Sequence, residues 1–235
     1  MRIGLLSDIH ANLPALEAAF EKLTSEGCDI IVHLGDAIAI GPFPAETVQF
    51  LRDHDIRSTA GNHEDDLVLG FSATLEQRMG QGEREHYLWT HEQLSAAEVE
   101  FIAQLPHRLD LSTGDSRVHC EHYYLSDDRV ADSHIDLGRP SLERVFGTEY
   151  EIVAFGHTHR TLIDREKHPY FINPGSAGLH HIGGPSVMII DAPDGHEVDF
   201  RILPVEYNHR LMLSELKRKA VPDHGFIRET FFGDI

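Results

Sequence analysis

Cysteine is scarce in this chain, and so is any sign of export. Cys28 and Cys120 are the only two among 235 residues, which excludes the framework of several disulfides that small secreted proteins use. The first apolar run begins at Ile3, and this leaves no room for a signal peptide before it. We therefore expect the protein to reside in a reducing cytoplasm.

Long apolar runs and positive charge are also lacking. No apolar stretch approaches the ~20 residues that a membrane-spanning helix needs, so we expect no membrane association. The 20 Lys and Arg residues are outnumbered by 39 Asp and Glu residues, and the net charge is -19 at pH 7 with neutral histidines. A surface of this charge opposes stable binding to nucleic-acid phosphates. The hydrophobic content of 41% and the length predict one globular domain over residues 1–235.

Short polar motifs follow four apolar runs along the chain. The runs are 3–6, 30–34, 56–60 and 152–155, and their composition predicts buried strands. The motifs that follow them are Asp8-Ile9-His10, Gly35-Asp36, Gly61-Asn62-His63-Glu64 and Gly156-His157-Thr158-His159. Each motif by itself is a common turn. Their repetition after four predicted strands is not common, because buried strand ends seldom carry so many ionisable groups without a functional role.

The residue types in these motifs indicate a metal site. The candidate ligands offer carboxylate oxygen, amide oxygen and imidazole nitrogen, and they are Asp8, His10, Asp36, Asn62, His157 and His159. Such a mixture suits Mn, Fe, Zn, Co or Ni. No cysteine belongs to the set, which argues against a structural thiolate zinc site.

Strands and helices alternate in the first half of the chain. A helix is predicted from Pro14 to Gly27, another over 45–51, and a third from the capping box at Ser95 to Pro106. This order predicts a parallel βαβ arrangement, which brings the carboxyl ends of the strands to one edge. The second half reads as short strands at 118–119, 152–155, 161–164, 170–172, 186–190 and 198–203.

The order of the motifs resembles the calcineurin-like metallophosphoesterase superfamily. That order is DxH, GD, GNH[DE], a lone His and GHxH, and the similarity covers residues 2 to about 202. The stretches 35–42 and 173–178 resemble the branch of small bacterial and archaeal phosphodiesterases. The resemblance implies an α/β fold in which two mixed β-sheets are flanked by helices in four α/β/β/α layers. Residues 65–94, which read as irregular helix, are expected to form a helical cap.

The resemblance also implies roles for individual residues. Asp8, His10 and His159 match the ligands of a first metal ion, and Asp36 matches the carboxylate that bridges two ions. The second ion would be bound by Asn62, His157 and the lone histidine. We expect that histidine to be His119, after Ser116-Arg117-Val118, with His122 as the competing choice.

A catalytic role follows from the same resemblance, and positions beside the motifs add further candidates. His63 matches the histidine that assists the leaving oxygen, and Glu64 or Asp65 would orient it. Asn12, His122 and His181 are candidate substrate contacts. The aromatic side chains of the expected cap are Phe71, Tyr87 and Trp89; we expect them to pack the cap onto the body rather than to contact a base or aryl group.

The implied activity is hydrolysis of a small phosphorylated substrate by two divalent ions, with Mn favoured. These ions would share and activate a water for in-line attack on phosphorus. Phosphodiesters are the expected substrates, and nucleotide monoesters, dinucleoside polyphosphates and a non-catalytic scaffold are the alternatives. A protein phosphatase is disfavoured, because the arginine that follows the GD motif in those enzymes is replaced here by Ala37-Ile38-Ala39-Ile40.

Overall fold

The fold is built on ten strands in two sheets. The computed structural model describes residues 1–113, 116–122, 136–180, 183–193 and 197–233. Its strands are β1 Arg2–Leu6, β2 Ile30–His33, β3 Arg57–Ser58, β4 Arg108–Thr113, β5 Ser116–Glu121, β6 Ile152–Phe155, β7 Thr161–Asp164, β8 Tyr170–Pro174, β9 Ser186–Asp191 and β10 Asp199–Pro204. Both sheets are mixed. The first has the order β10-β9-β1-β2-β3 and the second the order β4-β5-β6-β8-β7.

Helices cover the sheets and extend to the carboxyl terminus. They are α1 Leu13–Ser25, α2 Pro44–Asp53, α3 Asn62–Leu69, α4 Ala73–Arg78, α5 Gln81–Gln93, α6 Ala96–Ala103, α7 Arg139–Phe146, α8 His209–Arg218 and α9 His224–Ile227. A π-helical turn, Arg228–Phe232, continues directly from α9. Within the described ranges, no helix is long and apolar enough to cross a membrane.

The apolar side chains sort into layers. Between the sheets, Ile3 and Val32 from the first pack with Val118, Ile152 and Ile172 from the second. The outer face of the first sheet is covered by α1, α2 and α6, and the outer face of the second by α7. This arrangement confirms the predicted four-layer α/β/β/α fold, since each sheet has two apolar faces to bury.

The parallel part of each sheet directs its strand ends to the same place. Strands β1, β2 and β3 are parallel to one another, as are β5, β6 and β8. The loops after their carboxyl ends therefore converge at one edge of the sandwich. The βαβ prediction for the first half is confirmed.

Local signals account for the helices that were predicted. The side chain of Asn12 accepts a hydrogen bond from the amide of Ala15 and caps α1, and Pro14 lies in the first turn. Ser95 and Glu98 form the predicted capping box of α6. Residues 65–94 are helical as expected, although as three separate helices, α3, α4 and α5.

Strand β5 has two faces with different environments. The side chains of Val118 and Cys120 point into the core between the sheets, and because side chains alternate along a strand, His119 lies on the opposite face. There its Nδ1 is 2.7 Å from Oδ1 of Asp110, and its Nε2 is 3.1 Å from Oε2 of Glu121. Burial opposes a charge on His119, but the hydrogen bonds to these carboxylates outweigh it and raise its pKa.

We expect His119→Gln to destabilise the protein in a pH-dependent way. Because the folded state raises the pKa of His119, the stabilisation is complete below the unfolded pKa of about 6.5 and is lost as pH rises through the folded pKa. Urea unfolding should show a larger loss in the free energy of unfolding near pH 5.5 than near pH 9. His91→Gln, at an exposed position of α5, is the control. An equal loss at both pH values would contradict the ionic role of His119.

Candidate metal centre

The predicted ligands meet where the carboxyl ends of strands from both sheets converge. They follow β1, β2, β3 and β6 as Asp8 and His10, Asp36, Asn62, and His157 and His159. His122, immediately after β5, joins them. Ligands that are up to about 150 residues apart in the chain are therefore brought together by the topology of the two sheets.

One group of donor atoms contains Asp8, His10, Asp36 and His159. All of these atoms lie within 4.8 Å of one another. Nε2 of His159 is 3.3 Å from Oδ1 of Asp8 and 3.1 Å from Nε2 of His10. This is the set expected for the first ion.

A second group contains Asp36, His122 and His157. Nε2 of His122 is 3.2 Å from Oδ2 of Asp36, and Nδ1 of His157 is 2.9 Å from Oδ1 of Asn62. Asn62 thus adjoins this group through His157. Asp36 belongs to both groups, which is the position expected for a bridging carboxylate.

The structure corrects the choice between His119 and His122. His119 is on the wrong face of β5 and its two ring nitrogens are engaged by Asp110 and Glu121. His122 continues the alternation of Val118 and Cys120, whose side chains face the space between the sheets, and its ring accordingly points toward Asp36. Its other nitrogen, Nδ1, lies 2.5 Å from the carbonyl oxygen of Leu34, a bond that orients the ring.

Backbone strain is concentrated at the same residues. A left-handed φ is adopted by five of the candidate ligands, Asp8 (54°), His10 (51°), Asp36 (59°), His157 (70°) and His159 (56°). Each such residue costs on the order of 1 kcal/mol or more unless its surroundings compensate. Strain of this kind collects at functional sites, where side chains must be aimed at one point.

Glu64 holds the loop that carries Asp36. Its buried carboxylate accepts hydrogen bonds from the amides of Asp36 at 2.9 Å, Ala37 at 3.0 Å, Ile38 at 3.2 Å and Gly61 at 2.8 Å. One side chain therefore connects the loop after β2 with the loop that leads into α3. With both oxygens used in this way, Glu64 is not the residue that orients His63.

His63 is oriented by Tyr87 instead. The hydroxyl of Tyr87 lies 2.6 Å from Nδ1 of His63, whereas Asp65 is bonded to His107 at 2.8 Å. Burial, reinforced by Asp66, raises the pKa of Tyr87 well above its usual value, so the hydroxyl keeps its proton. Its two acceptors are Nδ1 of His63 at 2.6 Å and Oδ2 of Asp66 at 3.5 Å, and donation along the shorter contact would place the proton of a neutral His63 on Nε2. Nε2 lies 3.8 Å from Oδ2 of Asp36. The expectation that Glu64 or Asp65 orients His63 is wrong.

The electrostatics of the centre suit a cation. Burial opposes ionisation of Asp8 and Asp36, but His159 beside Asp8 and His122 beside Asp36 outweigh it and lower the pKa of both carboxyls. Burial also opposes a charge on His122, yet Asp36 and Asp8 raise its pKa to about 10. Among the residues described, Oδ2 of Asp8 is buried without a hydrogen-bond partner. Two buried carboxylates and an unsatisfied oxygen fit a divalent ion, whose binding would displace the proton of His122.

The three expected substrate contacts differ in outcome. Asn12 is fully buried, and its amide is used at both ends, by the carbonyl oxygen of Gly178 at 2.6 Å and the amide of Ala15 at 3.3 Å. It is a helix cap and leaves no group to contact a substrate. His181 lies outside the described residues. The third, His122, is assigned to the ligand set.

A cavity of about 400 Å³ adjoins the centre. Its walls come from the centre, from the loop after Asp36, from α5 and from the end of the chain: Asp36, Ala39, Ile40, Asn62, His63, Glu83, His86, Tyr87, His157, His159, Asp223, Phe226, Ile227 and Phe231. Tyr87 therefore faces the cavity. Phe71 packs edge-on against Tyr87 within the expected cap. Trp89 packs against the apolar cluster that contains Met212 and Leu216, which is the contact with the body that was expected for it.

The carboxyl-terminal wall of the cavity was not predicted. Residues 223–231 carry no polar motif, and their hydrophobic pattern is that of an ordinary helix. Contact between residues about 190 positions apart has no local signal in one sequence. The exposed Phe226 is the single feature that hints at a surface role.

Similarity to known proteins covers nearly the whole chain. Protein MJ0912 of Methanocaldococcus jannaschii is 28% identical over 94% of this chain and 94% of its own. Phosphodiesterase MJ0936 of the same organism is 22% identical over 81% of this chain and 93% of its own. The crystal structure of protein PH1004 from Pyrococcus horikoshii, 20% identical, superposes with a TM-score of 0.81 over 99% of this chain and 98% of that one.

A family profile matches the part of the chain that contains every ligand described above. The profile is that of the calcineurin-like phosphoesterase superfamily domain, and the match spans residues 1–195. The predicted motif order, the four-layer fold and the cluster of Asp and His side chains all agree with it. The chain therefore belongs to the calcineurin-like phosphoesterase superfamily and is a metal-dependent phosphoric ester hydrolase.

Proposed function

We propose that the protein is a phosphodiesterase that uses two divalent metal ions. The observation that carries this proposal is the pair of donor groups that share Asp36. Asp8, His10 and His159 would bind one ion, and Asn62, His122 and His157 the other. The donors are oxygen and nitrogen without thiolate, which suits Mn, Fe, Zn, Ni or Co, and we favour Mn for assays.

Bound ions of this kind supply a nucleophile at neutral pH and neutralise charge on the phosphate oxygens. The residues of the chain would keep them in place: Asp36 would contribute to both sites, and Glu64 holds the backbone of Asp36. Because Asp8 and Asp36 are buried, their attraction to a bound cation would be weakened little by bulk water.

His63 is the group that we assign to the leaving oxygen. It lines the cavity and directs a protonated Nε2 toward the centre. Burial lowers its pKa despite the nearby Asp36, so its neutral form, with one N–H donor, is the working species. Its N–H can hydrogen-bond the departing alkoxide and stabilise the negative charge that develops there.

Preference for diesters is supported by the space beside the centre. A phosphomonoester needs room for one substituent, whereas the cavity of about 400 Å³ extends from the centre to the end of the chain. The relative MJ0936 is named a phosphodiesterase. We further propose that α3–α5 act as a cap that bounds this space, within one domain over residues 1–235.

Asp36→Asn should remove metal and activity together. The amide keeps the shape of the carboxylate but cannot bridge two cations, and even residues that only orient ligands change metal affinity by about 10–100-fold. After loading with Mn, elemental analysis and hydrolysis of bis-p-nitrophenyl phosphate provide the measurement. Asp53→Asn, at an exposed position of α2, is the matched control. Full activity in the Asp36 variant would reject the bridging role.

His63→Ala should retain the metal and slow turnover by about 10²–10⁴-fold. The decrease should be greater for a substrate with an alkyl leaving group than for one that releases p-nitrophenolate, because the latter oxyanion needs little help from an acid. Metal content and kcat are measured on the same preparation. A loss of metal in this variant would instead assign His63 to the ligands.

Tyr87→Phe should reduce kcat by about tenfold and change the pH dependence of the rate, with metal content unchanged. Without a donor to Nδ1, the imidazole populates the tautomer that lacks a proton on Nε2. Tyr87 thus acts as a positioning residue, and Tyr150→Phe, on the face of β5 that bears His119, is the control. An unaltered pH–rate profile would exclude the orienting role.

A further inference from the structure

One wall of the cavity beside the metal centre comes from residues that follow the family match. The match ends at residue 195, whereas Asp223, Phe226, Ile227 and Phe231 lie at the start of α9, in it and in the π-helical turn. The candidate ligands of the centre all precede residue 195. The cavity therefore combines residues of the matched region, such as Glu83, with a wall that lies beyond it.

This carboxyl-terminal wall is fixed to the body of the protein. Ile227 and Phe232 are buried in an apolar cluster with Met212 and Leu216 of α8. The amide of His180 donates to the carbonyl oxygen of Phe231 at 2.9 Å. These contacts hold the carboxyl-terminal wall against the body of the protein.

Phe226 is left facing outward where its neighbours are buried. Its side chain is 57% exposed, while Ile227 is 4% exposed. Ile40 and Tyr87 also line the cavity. An exposed aromatic ring in a partly apolar lining is suited to stack against a planar ring.

The charge of the lining disfavours a second phosphate. Glu83 and Asp223 line the cavity, and among the described residues no lysine or arginine does. Asp223 is held against α5 at Gly82, where a Cβ would lie 2.6 Å from Oδ2 of Asp223. Carboxylates repel the additional phosphates of a polyphosphate chain but accept hydrogen bonds from amino and hydroxyl groups.

We propose that this cavity binds an aromatic ring, either a nucleobase or a simple aryl group, that is carried by a phosphodiester with a single phosphate. The inference rests on the proposed function, because it concerns the substituent of the phosphate bound at the metal centre. Phe226 provides the stacking surface, and Glu83 and Asp223 discriminate against dinucleoside polyphosphates. The pocket thus selects among substrates that the metal centre treats alike.

Four substrates test this selection with the Mn-loaded protein. Three are diesters that release p-nitrophenolate and differ in the other substituent. That substituent is a methyl group in methyl p-nitrophenyl phosphate, an aryl ring in bis-p-nitrophenyl phosphate and a nucleoside in thymidine 5′-p-nitrophenyl phosphate. The fourth, diadenosine tetraphosphate, has a polyphosphate chain. We expect kcat/KM to be at least about tenfold higher for both ring-bearing diesters than for the methyl ester, and lowest for the tetraphosphate.

Phe226→Ala should raise KM for the ring-bearing diesters by roughly 5- to 100-fold, the range that loss of aromatic stacking gives. Hydrolysis of the methyl ester, which lacks the second ring, should be affected least. Leu211→Ala, an exposed apolar position on α8, is the matched control. An effect confined to the thymidine ester identifies a base as the occupant, and one confined to the bis-aryl ester identifies an aryl group.

The double variant Glu83→Gln, Asp223→Asn should increase hydrolysis of diadenosine tetraphosphate relative to the methyl ester. The inference is overturned if wild type hydrolyses the methyl ester and ring-bearing diesters equally, if Phe226→Ala leaves their KM unchanged, or if the tetraphosphate is the best substrate. The methyl ester has the same p-nitrophenyl leaving group as the two ring-bearing diesters, so its hydrolysis reports on the metal centre and the leaving-group position without a contribution from a second ring. If none of the four is hydrolysed, the proposed function fails, and this inference fails with it.

Discussion

Two carboxylates buried between the edges of two sheets govern the rest of this structure. Asp8 is fully buried and Asp36 is 1% exposed, and an isolated charge in such a place costs far more than a fold can tolerate. Partners of opposite charge are therefore obligatory, whether protonated histidines or bound cations. Since Asp36 touches both donor groups, every other ligand has to be arranged around its two oxygens.

The backbone near Asp36 adopts strained conformations in this arrangement. Ala39 and Ile40, which follow Asp36, also have left-handed φ values of 65°. The amide of Ile40 donates to Nε2 of His86 at 2.7 Å, and burial lowers the pKa of His86 to about 4, so the ring is neutral and able to accept. Helices α3 and α5, through Glu64 and His86, thus hold the loop of Asp36 and bound the cavity at the same time.

The centre could be predicted from the sequence to the extent that its residues follow strands. Asp8, Asp36 and His157 each come directly after an apolar run, and the topology of parallel strands then brings them together. His122 obeys the same rule, because it lies past the end of β5 and continues the alternation of Val118 and Cys120. His119, chosen for its place in the motif order, breaks that alternation, and the periodicity of the strand was the better guide.

Two of the remaining errors have a common cause in long-range contact. Tyr87 reaches His63 from another helix, and residues 223–231 reach the cavity from the end of the chain, so neither contact leaves a local pattern. Asn12 failed for a different reason. Its position before Leu13-Pro14 is typical of a helix cap, and this local explanation was sufficient without any contact to substrate.

Metal binding and substrate choice make different demands, and the chain separates them. A pair of cations attracts the phosphate of any ester, so the centre cannot distinguish one substituent from another. Discrimination has to come from the surface beyond the phosphate. At the centre, bound ions would compensate the negative charges of Asp8 and Asp36. In the cavity, Glu83 and Asp223 add negative charge, and no lysine or arginine belongs to its described lining. A substrate that is anionic at one end and neutral at the other is the one that fits both regions at once.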